Sequence, residues 1–349
     1  FALAYAGLGQ AYMYRYELTH LPESLSAAND ACSRAVQLES GSPDGEICLG
    51  MLFNATGRFD SAAQHLERAL KLDSSRDETY RELAIAYEGE KRVGEAESLL
   101  KKAVALHPQS WSGYKALGWF YSAHGRYSDA VRQFKRVIEL APDSIGGYSN
   151  LGAVYVQQGK YKEAIDALEQ SIAIQPTAAA LNNAGAAYFY QSRYQDAARS
   201  YELAAQMTPE DYTIFGNLGE VYAQMQSKQE DSRRNYARAL QLAEQRLAAS
   251  PADGDALMSA ALYAAALGEA NEAEHYRRAG LKGGAQDPES RLSSALVLAR
   301  LHHDSRAMAE LERALRLGLP RSEVSDNPEW RRFAANPRYK AMMAQTKVK

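Results

Sequence analysis

The stretch "IGGYSNLGAVYVQQGKYKEAIDALEQSIAIQPT" (145–177) contains two helical patterns separated by a single turn. Apolar residues recur at i, i+3, i+4 and i+7, and "QQGK" interrupts them once in the middle. Pro176 cannot continue the second helix, and Thr177 directly after it can cap the next one. The stretch therefore predicts a helix-turn-helix unit.

The same unit recurs along the chain with a nearly constant period. One column of small residues has steps of 34, 34, 34, 33 and 34 residues: Gly50, Ala84, Gly118, Gly152, Gly185 and Gly219. A second small column follows twelve residues after the first: Ala62, Ala96, Ala130, Ala164 and Ala197. Tyrosines stand three residues after the first column: Tyr87, Tyr121, Tyr155, Tyr188 and Tyr222. A fixed period with such columns indicates an array of stacked supersecondary units.

These columns resemble the tetratricopeptide repeat, which has Leu-Gly-x-x-Tyr on its first helix and Ala-x-x-x-Phe/Tyr/Leu-x-x-Ala on its second, followed by Pro. The resemblance extends over about nine units, from residue 2 to 321. It implies an all-α, right-handed α-solenoid with a C-terminal helical cap. In such a solenoid the first helices line a concave groove and the second helices form the convex back.

Departures from the pattern divide the chain into three predicted regions. Residues 1–250 form a canonical array of units 1–7, with an insertion in the first unit and an elongated second helix in the seventh. Residues 251–321 form degenerate eighth and ninth units that lose the tyrosines. In 322–349, Asn-Pro occurs twice, and Asn at a cap followed by Pro favours helix starts, so capping helices are expected there.

Composition excludes several classes of function. Lys plus Arg (40) nearly balance Asp plus Glu (43), so the net charge of −3 leaves no basic excess for nucleic acid. The most apolar run, 256–268, is shorter than the ~20 residues of a membrane span, so we expect a soluble, cytoplasmic module without direct membrane insertion. Cys32 and Cys48 match no zinc or redox spacing and are expected to be buried, unbonded small side chains.

The candidate binding site is a column of asparagines on the first helices. Asn150, Asn183 and Asn217 each precede the packing Leu or Ala, which turns their amides toward the predicted groove. An amide both donates and accepts, so it can hold a peptide bond of a partner, although Asn is also simply common at this position. The other predicted groove residues are Lys115, Trp119, Asn182, Phe189 and Glu220. Among them, Trp119 and Phe189 are expected to anchor side chains of the partner.

Together these features predict a non-catalytic scaffold that binds a protein or peptide in its groove and uses no cofactor or metal. Phe1 begins in the middle of a helical pattern, so a fragment of a larger protein is expected. The closing segment resembles the end of repeat arrays in bacterial serine/threonine kinases, which implies a bacterial signalling or regulatory protein. Two alternatives remain open: a substrate-docking region of an enzyme, either a protein kinase or a glycosyltransferase similar to O-linked N-acetylglucosamine transferase, or a self-assembling scaffold. The oligomeric state is open.

Overall fold

The computed structural model describes residues 1–19, 21–282 and 287–344. This part of the chain forms twenty α-helices and two 3-10 helices, and it contains no strand. Two compact units follow each other, residues 1–147 and 148–349. The predicted all-α repeat solenoid is confirmed.

The first unit consists of consecutive helix pairs. Its helices are α1 (Ala2–Thr19), α2 (Pro22–Leu38), α3 (Pro43–Ala55), α4 (Phe59–Leu72), α5 (Asp77–Gly89), α6 (Val93–Leu106), α7 (Trp111–Ala123) and α8 (Tyr127–Leu140). The boundary with the second unit lies within α9 (Ile145–Gln157). Within the first unit each odd-numbered helix packs on the even-numbered helix that follows it.

The second unit continues this order and ends in shorter elements. Its helices are α10 (Tyr161–Ile174), α11 (Ala178–Tyr190), α12 (Tyr194–Met207), α13 (Tyr212–Ala223), a 3-10 helix (Gln226–Lys228), α14 (Gln229–Ala249), α15 (Gly254–Leu267), α16 (Ala270–Lys282), α17 (Pro288–Arg300), α18 (Asp304–Arg316), α19 (Arg321–Ser325), a second 3-10 helix (Pro328–Phe333) and α20 (Pro337–Ala344). The elongated helix α14 has 21 residues. The proposed division of the array at residue 251 stays a prediction.

The first small column lets the two helices of a repeat approach closely. A Cβ on Gly152 would lie 2.9 Å from Leu168 Cδ2 and nearer still to its Cγ, which is closer than real side chains pack. The same arrangement recurs in the other glycine repeats: Gly50 on Leu66, Gly118 on Phe134, Gly185 on Tyr201 and Gly219 on Tyr236. In these five repeats the close approach of the two helices therefore depends on a missing side chain on the first helix.

The turn inside a repeat requires one residue in the left-handed backbone region. Glycine occupies it in three repeats, with φ of 71° at Gly57, 67° at Gly125 and 69° at Gly159. Three other repeats place Lys91, Ser192 and His302 there, with φ of 63°, 60° and 58°. Side chains with a Cβ are disfavoured in this region, so the turn geometry persists in these repeats at a local cost.

The predicted cap Thr177 is present, and the equivalent residues of two neighbouring repeats also cap their helices. Thr177 accepts a hydrogen bond from the third residue of α11, and Asp211 accepts one from the second residue of α13. Ser144 accepts one from the N–H of Gly147 at 3.1 Å. Ser110 is the exception, because its hydroxyl pairs with the neighbouring hydroxyl of Ser112 and caps no backbone N–H. The signals that start these helices are thus largely local.

The two cysteines form a disulfide between α2 and α3, so the expectation of unbonded thiols is wrong. Both side chains are fully buried, as predicted. Gly9 of α1 explains the approach, because a Cβ there would lie 2.5 Å from both sulfur atoms. With that side chain absent, the two Cα atoms lie 5.4 Å apart, within the range of a disulfide.

The short C-terminal elements cover the apolar side of the last helix pair. Trp330, Phe333 and Tyr339 are buried in one cluster with Met308 and Leu311 of α18. A terminal repeat has no neighbour on one side, so this cluster removes its apolar surface from water. Among the residues that the structure describes, no helix combines the length and apolar character needed to cross a lipid bilayer.

Candidate functional site

The first unit contains an apolar cavity of about 340 Å³ between α5 and α7, here called the Trp119 cavity. Ile85 and Trp119 flank it and remain 46% and 55% exposed, which is unusual for side chains of this size. Leu100 and Phe120 also line it. The Trp119 ring is held edge-on against Phe134, with ring centroids 6.5 Å apart. The cavity thus presents a fixed aromatic wall to solvent.

Four charged side chains line the Trp119 cavity: Arg81, Glu82, Glu88 and Lys115. Of the two cations, Lys115 has no carboxylate partner in the described part of the chain. Its ammonium lies over the Trp111 ring, 5.4 Å from the centroid. Arg81, at the same repeat position on α5, pairs with Asp77 at 3.3 Å. Lys115 therefore forms no ion pair among the described residues, although the carboxylates of Glu82 and Glu88 also line the cavity. The predicted pair Lys115 and Trp119 does come together at one site.

The second unit contains a cavity of about 340 Å³ that is more polar, here called the Tyr190 cavity. Helices α11, α13, α15 and α17 contribute its walls. Its aromatic lining consists of Phe189, Tyr190, Tyr201, Tyr236 and Tyr263. Its polar lining consists of Thr213, Asn217, Glu220, Ser259, Arg300 and Asn327. Phe189, Asn217 and Glu220 of the predicted site therefore meet here.

Elements from the C-terminal end close one side of the Tyr190 cavity. Arg300 is largely buried, with 12% of its side chain exposed, and it pairs with Glu220 of α13, while its Nε donates to Glu329 Oε1 at 2.7 Å. Burial disfavours the charge on Arg300, but Glu220, Tyr236 and Glu329 outweigh it and raise its pKa. A buried cation held in this way is strongly destabilised if one carboxylate partner is removed. The guanidinium therefore joins α13, α17 and the second 3-10 helix.

A second contact fastens the same C-terminal segment to α10. The Tyr161 hydroxyl donates to Asp326 Oδ2 at 2.7 Å, across a sequence separation of 165 residues. The Tyr161 ring stacks on Tyr190 with centroids 4.9 Å apart. In the second unit, the face predicted to hold a partner is thus partly occupied by the chain itself.

The three asparagines of the column have different surroundings in the structure. Asn217 donates to the amide oxygen of Asn182 at 3.1 Å, so one amide of the column pairs with a neighbouring repeat. Asn150 and Asn183 are half-buried and line neither cavity. Phe189 is only 8% exposed and packs against other rings, so the expectation of an exposed anchor is wrong for this residue. Adjacent tyrosines cover the ring.

Several site residues escaped the sequence analysis. Ile85 lies 34 residues before Trp119, so its repeat position was a usable signal. Tyr201 occupies the second-helix position that packs on the glycine column, and nothing local distinguishes it from Leu168. Arg300 and Asn327 carry no repeat signature. Within the described ranges, no group of three His, Cys, Asp or Glu residues is arranged to hold a metal ion.

Family comparisons agree with the helix pairs. Models of the tetratricopeptide repeat match residues 53–118 and 147–210, and a TPR repeat model matches 118–159. Together these matches span residues 53–210, which is less than half of the chain. No curated protein matches the chain in a sequence search.

Solved structures of repeat proteins are similar in fold. PilF of Pseudomonas aeruginosa matches with a TM-score of 0.50 and 21% identity, over 60% of this chain and 92% of PilF. The Cut9–Hcn1 hetero-tetramer of the APC/C matches with a TM-score of 0.52 and 16% identity, over 87% of this chain and 62% of that chain. The human IFIT1 dimer with PPP-AAAA matches with a TM-score of 0.51 and 16% identity, over 75% of this chain and 69% of that chain. At these identities the likeness concerns the fold alone.

Proposed function

We propose that this chain is a protein-interaction scaffold that captures a peptide segment of a partner at the Trp119 cavity. The observation that supports this most directly is the exposure of Ile85 and Trp119 on adjacent first helices, on either side of an open apolar cavity. Large aromatic and aliphatic side chains that stay exposed around a pocket are typical anchors of protein interfaces. Tetratricopeptide repeats supply a rigid support for such a surface.

The charges define the chemistry of the occupant. Lys115 lines the same cavity and has no carboxylate partner among the described residues, so it is available to pair with a carboxylate of the guest. The fitting ligand is a peptide segment with an apolar side chain for the cavity and an acidic side chain or terminal carboxylate close by. An ammonium acts as a point charge and sets no strict geometry, so sequence tolerance around the acid is expected.

The asparagine ladder is a second part of the proposal. Asn150 and Asn183 have half-buried amides, and Asn217 shares its amide with Asn182. An extended guest that reached them would exchange backbone hydrogen bonds with these amides. We also propose that the chain is part of a larger bacterial signalling protein, as the closing segment predicts.

The Cys32–Cys48 disulfide is relevant to the cellular compartment in which the protein is located. Stable disulfides form in oxidising environments and are rare in the cytosol. A fully buried disulfide in the first unit therefore favours an oxidising compartment over the cytoplasm expected from the sequence.

A peptide selection tests the binding proposal. The full chain is immobilised and panned against a phage-displayed library of random peptides, and enriched peptides are titrated in solution. We expect enriched peptides to combine a large apolar residue with a nearby carboxylate. Trp119→Ser and Lys115→Gln should each weaken binding by about tenfold, because each removes one anchoring contact of about 1 to 2 kcal/mol.

The matched control is Leu72→Ser. Leu72 is 45% exposed, nearly the same as Ile85, but lies at the end of α4 and lines no part of the Trp119 cavity. It should leave the affinity unchanged, whereas Ile85→Ser should reduce it. Circular dichroism melting of every variant shows whether the fold is retained. Equal affinity of the Trp119→Ser and Leu72→Ser variants would refute the assignment of this cavity.

A further inference from the structure

The Tyr190 cavity in the second unit has features that the scaffold role does not use. Its walls carry several aromatic rings, and its lining includes amide, hydroxyl, carboxylate and guanidinium groups. Gly216 allows the Tyr263 ring to pack directly against its backbone, so that ring forms part of the wall. Ala186 stands where the first unit has Ile85 and Trp119, so no large side chain fills the space between α11 and α13. The cavity can therefore admit a guest group.

The hydroxyl of Tyr201 has no hydrogen-bond partner among the described residues. Its side chain is only 3% exposed, its ring lies on Gly185, and it lines the Tyr190 cavity. Burial raises its pKa, and the charges that add to this effect are those of Tyr190 and Glu220, both of which line the cavity. The oxygen is not among the fully enclosed unpartnered polar atoms of the described residues, so it is open to the cavity. A bound group that donates to it would supply a hydrogen bond that the described residues do not.

The charges around the cavity are predominantly negative. Four carboxylates lie in or beside it: Glu220, Glu323, Asp326 and Glu329. Arg300 also lines the cavity, and it already donates to two of the four, Glu220 and Glu329. Burial raises the pKa of Tyr190 to about 12, and Glu323, Glu220 and Asp326 contribute to that rise in this order. The surroundings therefore favour an added positive charge.

We propose that the Tyr190 cavity binds a guanidinium or ammonium group carried on an alkyl stem. Aromatic faces attract such cations, most strongly where water is excluded. The cation would donate to the Tyr201 hydroxyl and to free lone pairs of Glu220, while the stem would lie along Phe189, Leu262 and Leu296. The group could be an arginine or lysine side chain of a partner polypeptide or a free small amine. This site is independent of the Trp119 cavity.

Small probes of matched shape test the proposal on the full chain. N-acetyl-arginine amide is titrated by protein-observed NMR, and N-acetyl-citrulline amide serves as the neutral control of nearly equal size. We expect saturable shifts of resonances around Tyr190 with the arginine probe and none with citrulline. Tyr201→Phe should weaken binding about tenfold, because it removes only the accepting hydroxyl and keeps the ring on Gly185.

The control variant is Tyr188→Phe. Tyr188 donates to Glu169 and does not line the cavity, so this variant loses a hydrogen bond without touching the site. Tyr188→Phe should lower the melting temperature slightly and leave the affinity unchanged. Tyr201→Phe should weaken the affinity without lowering the melting temperature. Tighter binding of agmatine than of the amide probe would support a free amine, and the opposite order would support a polypeptide side chain. Equal binding of citrulline, or wild-type affinity in Tyr201→Phe, would overturn the proposal.

Discussion

Replacement of Gly152 by alanine tests the close helix contact that the glycine repeats share. The added methyl group would lie 2.9 Å from Leu168 Cδ2 and closer still to Cγ, well inside the ~3.5 to 4.0 Å of an ordinary carbon contact. Overpacking of this kind costs about 1 to 3 kcal/mol. Alanine also gains about 1 kcal/mol of helix propensity over glycine. We therefore expect a net loss of about 1 kcal/mol in the free energy of unfolding.

A double-mutant cycle separates the clash from other effects. Leu168 is fully buried, so Leu168→Ala alone should cost about 2 to 5 kcal/mol. In the double variant the new methyl group enters the space that Leu168 vacates. Its loss of stability should therefore be smaller than the sum of the single losses, by about 1 to 3 kcal/mol.

Urea unfolding of the full chain, followed by far-ultraviolet circular dichroism, measures all three variants. The control is Gly146→Ala in the same helix, where a Cβ would meet no atom within 4 Å. This control should gain up to about 1 kcal/mol from helix propensity. If Gly152→Ala gained as much as Gly146→Ala, or if the cycle were additive, the proposed helix contact would be wrong.

Three further predictions concern the turn, the disulfide and an ion-pair cluster. Gly125→Ala should lower the free energy of unfolding by about 1 kcal/mol, because a residue with a Cβ is disfavoured at positive φ. Ser192→Gly should raise the free energy of unfolding slightly for the same reason. Equal effects of the two variants in urea titrations would contradict this. Thiol titration of unfolded, unreduced protein should find no free Cys32 or Cys48, and reduction should cost about 3 kcal/mol for a separation of 16 residues; two reactive thiols before reduction would exclude the bond. Glu274 binds three arginines, led by Arg277, which hold its pKa well below the usual 4.5. Its contribution is complete above pH 4.5 and is lost as the pH falls through the lowered pKa, so Glu274→Gln should flatten the stability–pH curve on the acid side, and an unchanged curve would contradict this.

Part of the candidate site follows from repeat position alone. Lys115 and Trp119 were predicted from their positions on a first helix, and the structure brings both to one open cavity. Ile85 shares the position of Trp119 and could have been found by the same reasoning. Phe189 was predicted from its repeat position in the same way, yet two tyrosine rings of its own repeat cover it. Exposure therefore depends on neighbours that a column does not specify.

The amino-acid sequence by itself determined the helix pairs, their period and most of their caps. Glycine against Leu168, proline after the second helix and Thr177 at the next start are interactions within one repeat or between successive repeats. Such local signals can be read directly from the spacing of residue types.

Only the tertiary structure decided which distant residues meet. The Cys32–Cys48 bond depends on how α1 allows α2 and α3 to approach, and the Tyr161–Asp326 contact joins residues 165 apart. The pairing of Arg300 with Glu220 spans 80 residues. Small rotations between successive helix pairs add up over several repeats, and no single repeat encodes their sum. For this reason the surface left open in the first unit, and the polar cavity enclosed in the second, emerged only from the folded chain.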